Sequence, residues 1–375
     1  MKILIAADSF KGSLTSLAVG KCIETGIRKV MADAVISVVP LADGGEGTVE
    51  AILAARGGER IEVEAMNPQG DYQPAWYGLL ADGCAIIECA SASGIAEANA
   101  EHVLSATSYG TGELIRNALD RGCRTIMLGL GGSGTNDAGL GILQALGCVF
   151  YDQDRIAVGS GVLGLSRIVA ADFSGLHPGI KGCDLQLLCD VTNPLCGSDG
   201  ATAVFGPQKG IQSDQVNDVD AVLSAFSSFI HQNGYPDCRD TPGSGAAGGM
   251  AFACLSVLGG RVQSGINTIL EWVDMDGSMK TCDLVITGEG RLDHQTSFGK
   301  LPVGVAAYAR KRGIACVAIA GSLGKGYPAV FDQGIQAVES TIYEPSSLEI
   351  ALANAEQNTI DAAERLMRAL TLFFK

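Results

Sequence analysis

Asp283-Leu-Val-Ile-Thr-Gly-Glu-Gly-Arg-Leu-Asp-His-Gln-Thr-Ser-Phe-Gly-Lys-Leu-Pro-Val-Gly304 decides the fold class. Its apolar start predicts a strand over 283–287. The polar stretch behind it predicts a loop carrying Glu289, Arg291, Asp293, Gln295, Thr296 and Lys300. A helix is expected over 302–312, with Pro302 in its first turn, Arg310, Lys311 and Arg312 at the negative end of its dipole, and Gly313 as its stop. A second strand follows at Cys316-Val-Ala-Ile-Ala320. Strand, helix and strand in that order form a right-handed βαβ unit, the building block of a parallel sheet. Open sheets of this kind gather their ligands beyond the carboxyl ends of strands, so the same loop is the first candidate for chemistry.

The other end of the chain has the same grammar. A strand is expected over Lys2–Ala7, then the loop Asp8-Ser-Phe-Lys-Gly-Ser13, then a helix with Val19, Ile23, Ile27 and Val30 on one face. Val35-Ile-Ser-Val-Val39 predicts the next strand, leading into Asp43-Gly-Gly-Glu-Gly47 and another helix. The pattern then changes. Glu59 to Met66, Pro74 to Leu80 and Cys84 to Ala90 read as three successive strands, with Asn67-Pro-Gln-Gly70 and Asp82-Gly83 as their turns. Helix and strand alternate again from about Ser108. A helix is expected from Gly112 to Asp120 and a strand at Thr125-Ile-Met-Leu-Gly129, which feeds Leu130-Gly-Gly-Ser-Gly-Thr-Asn-Asp137. Leu185 to Cys189 is a further strand, 213–232 a helix, and Pro242 to Gly249 a small-residue loop at a helix start. A capping box, Ser346 to Glu349, opens a last helix that is expected to run to the terminus.

The simplest architecture is α/β in two domains. Residues 1–60 and 280–375 form a discontinuous Rossmann-like or flavodoxin-like parallel-sheet domain, and 61–279 an inserted second α/β domain that carries the glycine-rich loop. A cleft between them is the expected ligand site.

Composition narrows the function. The net charge of −15 disfavours nucleic acid or an acidic membrane as partner, since both require a basic face. No apolar run approaches the ~20 residues that span a bilayer. The twelve cysteines show no CxxC pair, and Met1 to Ala7 runs into Asp8 too soon for a secretory h-region, so a reduced, cytoplasmic setting is expected. The 50 glycines among 375 residues, against ~7% in ordinary proteins, cluster at strand ends.

Six loops share one design, an apolar strand followed by glycines and small polar or acidic residues. Glycine lets backbone N–H groups approach an oxyanion, and a following helix N-terminus adds positive charge. Gly131, Gly132, Ser133, Gly134 and Thr135 fit a phosphate cradle; the competing reading is a tight turn with Asp137 as a helix cap. Asp8, Asp43, Asp190 and Asp293 sit just beyond strands, where a carboxylate holds Mg²⁺, accepts a proton, or merely caps a turn. Lys11, Arg291 and Lys300 are the bases inside these loops and suit an anionic ligand. His294 reads as a spectator beside Asp293. No Walker A sequence, GxGxxG turn or protein-kinase signature is present, so a nucleotide would bind by another scheme.

Taken together, Asp8 to Ser13, Pro40-Leu-Ala-Asp-Gly-Gly-Glu-Gly-Thr48, Gly129 to Asp137, Cys189-Asp-Val-Thr-Asn-Pro194, Gly245-Ala-Ala-Gly-Gly249 and Asp283 to Gly304 resemble the motifs of the bacterial glycerate kinase family, in the same order and over nearly the whole chain. The family often has Ala where Gly134 stands, Gly where Ala138 stands and Leu where Cys196 stands; none of these departures removes a charge. The resemblance implies a two-domain kinase of the glycerate 2-kinase type using ATP and Mg²⁺. Placed on that reaction, Gly131 to Thr135 and Lys300 would hold ATP, and Asp190 or Asp293 would ligate Mg²⁺. Ser9, Lys11 and Arg291 would bind glycerate, and Asp43 would take the hydroxyl proton. Two rival readings are weaker: a two-domain receptor closing on a small acid without chemistry, which the excess of loop acids disfavours, and a nucleotide-dependent oxidoreductase, which the missing GxGxxG disfavours. Oligomeric state is open.

Overall fold

The computed structural model describes residues 1–95, 100–296 and 300–373. Its strands, in chain order, are β1 (Lys2–Ala7), β2 (Val35–Val38), β3 (Glu59–Met66), β4 (Tyr72–Leu79), β5 (Cys84–Glu88), β6 (Thr125–Gly129), β7 (Val149–Tyr151), β8 (Ala170–Asp172), β9 (Asp184–Leu188), β10 (Arg261–Gln263), β11 (Leu284–Leu292), β12 (Ala315–Leu323) and β13 (Ala337–Ser340). The contacts divide into two compact units. One comprises 1–43, 50–56 and 266–375; the other comprises 44–49 and 57–265.

The first unit holds a five-stranded sheet, β13-β12-β11-β1-β2, in which every pairing is parallel. Read from the other edge this is the flavodoxin-like strand order, with its switch between β1 and β11. Ile3, Ile5, Leu284, Ile286, Val317 and Ile319 are buried against Ile23 and Ile27 of the helix Ser16–Arg28 and against Met367 of the helix Ala355–Leu370. The first of these helices is capped as its sequence requires: the Thr15 side chain accepts from the Ala18 N–H, and an apolar stripe faces the sheet. The unit takes up the chain again at Ile266, not at 280. Ile266, Ile269, Leu270, Met275 and Met279 are all buried, so the helices Gly265–Trp272 and Met275–Met279 carry core surface and not linker surface.

The second unit holds a mixed six-stranded sheet, β10-β9-β6-β5-β4-β3. The meander expected over 59–90 forms its antiparallel edge, while β5, β6, β9 and β10 run parallel. The loops that follow β5, β6, β9 and β10 therefore leave the same end of the sheet. Phe150, Phe226 and Phe252 anchor the core behind it, packed edge to face.

Two local expectations need correction. β11 does not stop at Thr287: it stays paired with β12 from Leu284 opposite Ala315 to Leu292 opposite Leu323, so Glu289 and Arg291 are strand residues. The C-terminal cap is Ser347, not Ser346; its side chain accepts from the Ile350 N–H, and the helix it opens ends at Ala353. Asn354 then turns out of helical geometry before Ala355–Leu370 begins. Among the described residues no helix is long and apolar enough to cross a membrane.

Candidate active site

In the first unit the switch between β1 and β11 sets two polar segments side by side. Asp8 leaves the end of β1 with its N–H on the Gly288 carbonyl (2.9 Å). Gly290 explains the close fit: a Cβ there would stand 3.3 Å from the Lys11 nitrogen and 3.4 Å from the Phe10 Cα. Asp8 is buried, and its Oδ1 accepts from the Ser9 N–H at 2.7 Å. Burial, reinforced by the Asp43 carboxylate, pushes Asp8 up to about 7, against the opposing pull of Lys11. Lys11 itself pairs with Asp43 at 3.2 Å. Glu289, also buried, accepts from the Thr296 hydroxyl and lies 3.9 Å from the Lys300 ammonium. Burial raises its pKa as well, more than Thr296 and Lys300 lower it.

One step outward on the same edge, Asp293 is held in a turn. Its Oδ1 accepts from the Gln295 N–H (2.9 Å), its own N–H donates to the Thr296 hydroxyl (3.1 Å), and Arg291 stands 3.5 Å from its Oδ2. The end of β12 lies beneath: the His294 N–H donates to the Lys325 carbonyl at 3.2 Å. Asp8, Ser9, Lys11, Asp43, Glu289, Arg291, Asp293 and Lys300 thus belong to one unit and to one end of its sheet. Ser297, Phe298 and Gly299, within the opening motif, lie outside the described residues.

The glycine loop belongs to the second unit and follows β6. Gly132 has a left-handed φ of 75°. The N–H groups of Gly131, Gly132 and Ser133 donate to no protein acceptor among the described residues, whereas the Gly134 N–H is committed to the Ser93 carbonyl at 2.8 Å. Behind the loop, Gly248 and Gly249 pack so closely that a Cβ on Gly248 would meet the Thr135 carbonyl at 2.0 Å.

Asp137 settles the competing reading in its own favour without displacing the loop. Its carboxylate is fully buried and accepts from the Ser108 N–H and hydroxyl, both at 2.8 Å, and from the Gly139 and Gly141 N–H groups, both at 3.1 Å. The N-terminal amides of the short helix Leu140–Ala145 are therefore engaged by a residue of the chain. The helix end is not the loop's source of positive charge, contrary to expectation.

A positive charge does stand beside the loop, on a residue the sequence did not single out. Lys209, on the turn Pro207–Lys209, is 3% exposed and donates to the Ser133 hydroxyl (3.0 Å) and the Thr135 carbonyl (2.7 Å). Burial pulls its pKa down to about 8, with Cys89 and Asp137 acting in the opposite sense. The only signal in the sequence was a lysine between Pro207 and Gly210, which reads equally well as a surface turn. Asp190, beyond β9, is exposed and accepts from the Ser264 hydroxyl of the neighbouring strand end at 2.9 Å. Among the described residues no group of three or more His, Cys, Asp or Glu is arranged to hold a metal by itself.

Comparison with known proteins agrees with these motifs. The glycerate kinase family matches residues 3–371. A glycerate kinase of Haemophilus influenzae is 44% identical, covering 100% of both chains. A glycerate 2-kinase of Escherichia coli K12 is 42% identical, covering 99% of this chain and 98% of that one. A crystal structure described as a glycerate kinase 2 from Salmonella typhimurium LT2 is similar at a TM-score of 0.85 and 42% identity, covering 99% of this chain and 98% of that one. The chain belongs to the glycerate kinase family. It is a kinase, and membership implies ATP use; the receptor and oxidoreductase readings fall away.

Proposed function

We propose that the protein transfers the γ-phosphoryl group of Mg-ATP to glycerate, giving 2-phosphoglycerate and ADP. The observation that carries this reading is Asp8, a buried carboxylate at the switch point of the parallel sheet, flanked by the Lys11–Asp43 pair. Phosphoryl transfer depends on positioning and charge neutralisation more than on covalent help, and its acceptor hydroxyl needs somewhere to place a proton. With its pKa at about 7, Asp8 suits that role near neutrality. Asp43, assigned the role from sequence, is engaged by Lys11 and instead fixes the local charge.

Lys11 and Arg291 offer the cations for the glycerate carboxylate, with Ser9 beside Asp8 as a hydroxyl partner. In the second unit, Gly131, Gly132, Ser133 and Thr135 receive the phosphates, while Gly134 holds the loop's shape through Ser93. Lys300, 3.9 Å from Glu289, supplies a further cation for the nucleotide. Mg²⁺ is usually bound by one or two carboxylates together with waters and phosphate oxygens. Asp190 or Asp293 would fit that demand, each with one oxygen steadied by a neighbour, Ser264 and Gln295 respectively. The ion supplies neutralisation of the phosphate charge. Excluding water at transfer keeps hydrolysis from competing with the acceptor. The twelve free cysteines support a reducing, cytoplasmic setting.

A coupled ADP-formation assay over small hydroxy acids, with ³¹P NMR of the product, tests the proposal. Glycerate-dependent ADP formation and a 2-phosphate resonance are expected. ADP formation that ignores glycerate, or that prefers another acid, rejects it.

A further inference from the structure

Lys209 is a buried cation with no carboxylate in hydrogen-bond reach among the described residues. Of its three ammonium donors, two go to the Ser133 hydroxyl and the Thr135 carbonyl, and neither acceptor carries charge. Burying an ammonium without a counter-charge is costly, so a protein that retains one has a use for it. The surroundings repeat the message. The Thr135 hydroxyl and the Asn136 Oδ1 are both buried and make no hydrogen bond among the described residues, although the Asn136 amide donates to Thr202 at 2.9 Å. Asp137, the acid whose charge acts on it, has both oxygens occupied by Ser108, Gly139 and Gly141. Cys89 faces the same lysine, its own pKa pushed up to about 12 by burial, so it stays a neutral thiol.

We propose that Lys209 is the counter-charge of the glycine loop: its ammonium meets the anionic phosphate chain of the nucleotide that Gly131, Gly132 and Ser133 receive. This rests on reading that loop as the donor's phosphate site. The role differs from scaffolding. A lysine that only ties down Ser133 and Thr135 would leave nucleotide affinity independent of its own protonation. A counter-charge couples the two. An anion beside the ammonium favours the protonated form, so binding takes up a proton, and affinity falls as pH rises through the free-state pKa of about 8. The charged and titratable neighbours that face it are Cys89, whose thiol burial pushes up to about 12, and Asp137, whose carboxyl burial raises while its four hydrogen bonds pull it back down.

The test is calorimetric titration of MgADP into wild type, Lys209→Met and Lys209→Arg at about pH 7 and about pH 9, with hydrogen exchange of amides 131–135. Wild-type affinity should fall about tenfold across that range, since a lysine of pKa near 8 goes from about nine-tenths to about one-tenth protonated. Lys209→Met should bind about tenfold more weakly at about pH 7 and show no further fall. Lys209→Arg, which stays charged, should also show a flat profile. A folded Lys209→Met with wild-type affinity and the wild-type pH slope overturns the proposal. If that variant does not fold, Lys209→Arg decides: a fall matching wild type overturns the proposal, and a flat profile supports it. MgADP should protect amides 131–135. Glycerate-dependent turnover without protection there refutes the loop assignment and Lys209 together while leaving the kinase reading intact.

Discussion

The two polar regions handle charge in opposite ways. At the sheet switch of the first unit, the three bases singled out each stand near an acid: Lys11 with Asp43, Arg291 with Asp293, Lys300 with Glu289. Behind the glycine loop of the second unit, one buried lysine hydrogen-bonds only neutral oxygens among the described residues. Paired charges hold their positions, can trade protons and can admit a small acid by exchanging partners. An unpaired buried cation favours an anion from outside. The contrast matches the proposed division, with the acceptor's chemistry in the first region and the phosphate donor's in the second.

The largest expected effects strike the carboxylates. Asp8→Asn removes the proposed proton acceptor, and kcat should drop by about 10²–10⁴-fold, the usual worth of general base catalysis. Asp190→Asn and Asp293→Asn should each lower kcat by orders of magnitude with the circular dichroism spectrum unchanged. Near-wild-type turnover in both would remove these residues from the metal site.

Asp8 also has a signature in pH. Its folded pKa is raised to about 7, so the base is active above that value, and kcat/KM should fall as pH drops below it. Stability runs the other way. Because folding raises this pKa above its unfolded value of about 3.9, the contribution is complete below the unfolded pKa and is lost as pH climbs to about 7. Asp8→Asn should therefore melt at a higher temperature than wild type above about pH 7, with the gap narrowing in acid. A variant that is less active yet no more stable at high pH would separate the residue's burial from its function.

Asp137 should behave as structure. Asp137→Asn keeps the shape but replaces an acceptor that satisfies four donors, and a loss of about 1–3 kcal/mol in urea unfolding is expected. The smallest effect is expected at Ala138, whose φ of 50° is left-handed. Ala138→Gly relieves that strain at the expense of unfolded-state entropy, for a net gain of about 0.5–1 kcal/mol, read from the same unfolding curves.

Much of the first region was legible because it is built from local signals. β1 is found where its apolar run predicts it, and the acids beyond it stand where a parallel sheet exposes its loops. The end of β11 was not legible. Gly288 and Gly290 alternate with Glu289 and Arg291 like a loop, and only the β12 ladder through Leu323 keeps them extended. Ser346 and Ser347 offered two caps of similar merit, and the backbone chose the second. The second region concealed its main charge for a deeper reason. Whether a lysine is buried is decided by what packs over it, and Gly206-Pro-Gln-Lys-Gly210 contains nothing that states this locally. The helix after the glycine loop was likewise expected to lend its dipole, but Asp137 had already engaged its amides.

Initial rates over a matrix of ATP and glycerate concentrations, measured on Lys11→Ala and Gly132→Ala, test the division of labour most directly. Lys11→Ala removes a cation paired with Asp43, and Gly132→Ala forces a Cβ onto a backbone at φ 75°. The first should raise KM for glycerate about tenfold and leave KM for ATP near wild type; the second should do the reverse. A Lys11→Ala enzyme impaired only toward ATP, or a Gly132→Ala enzyme impaired only toward glycerate, would contradict the account.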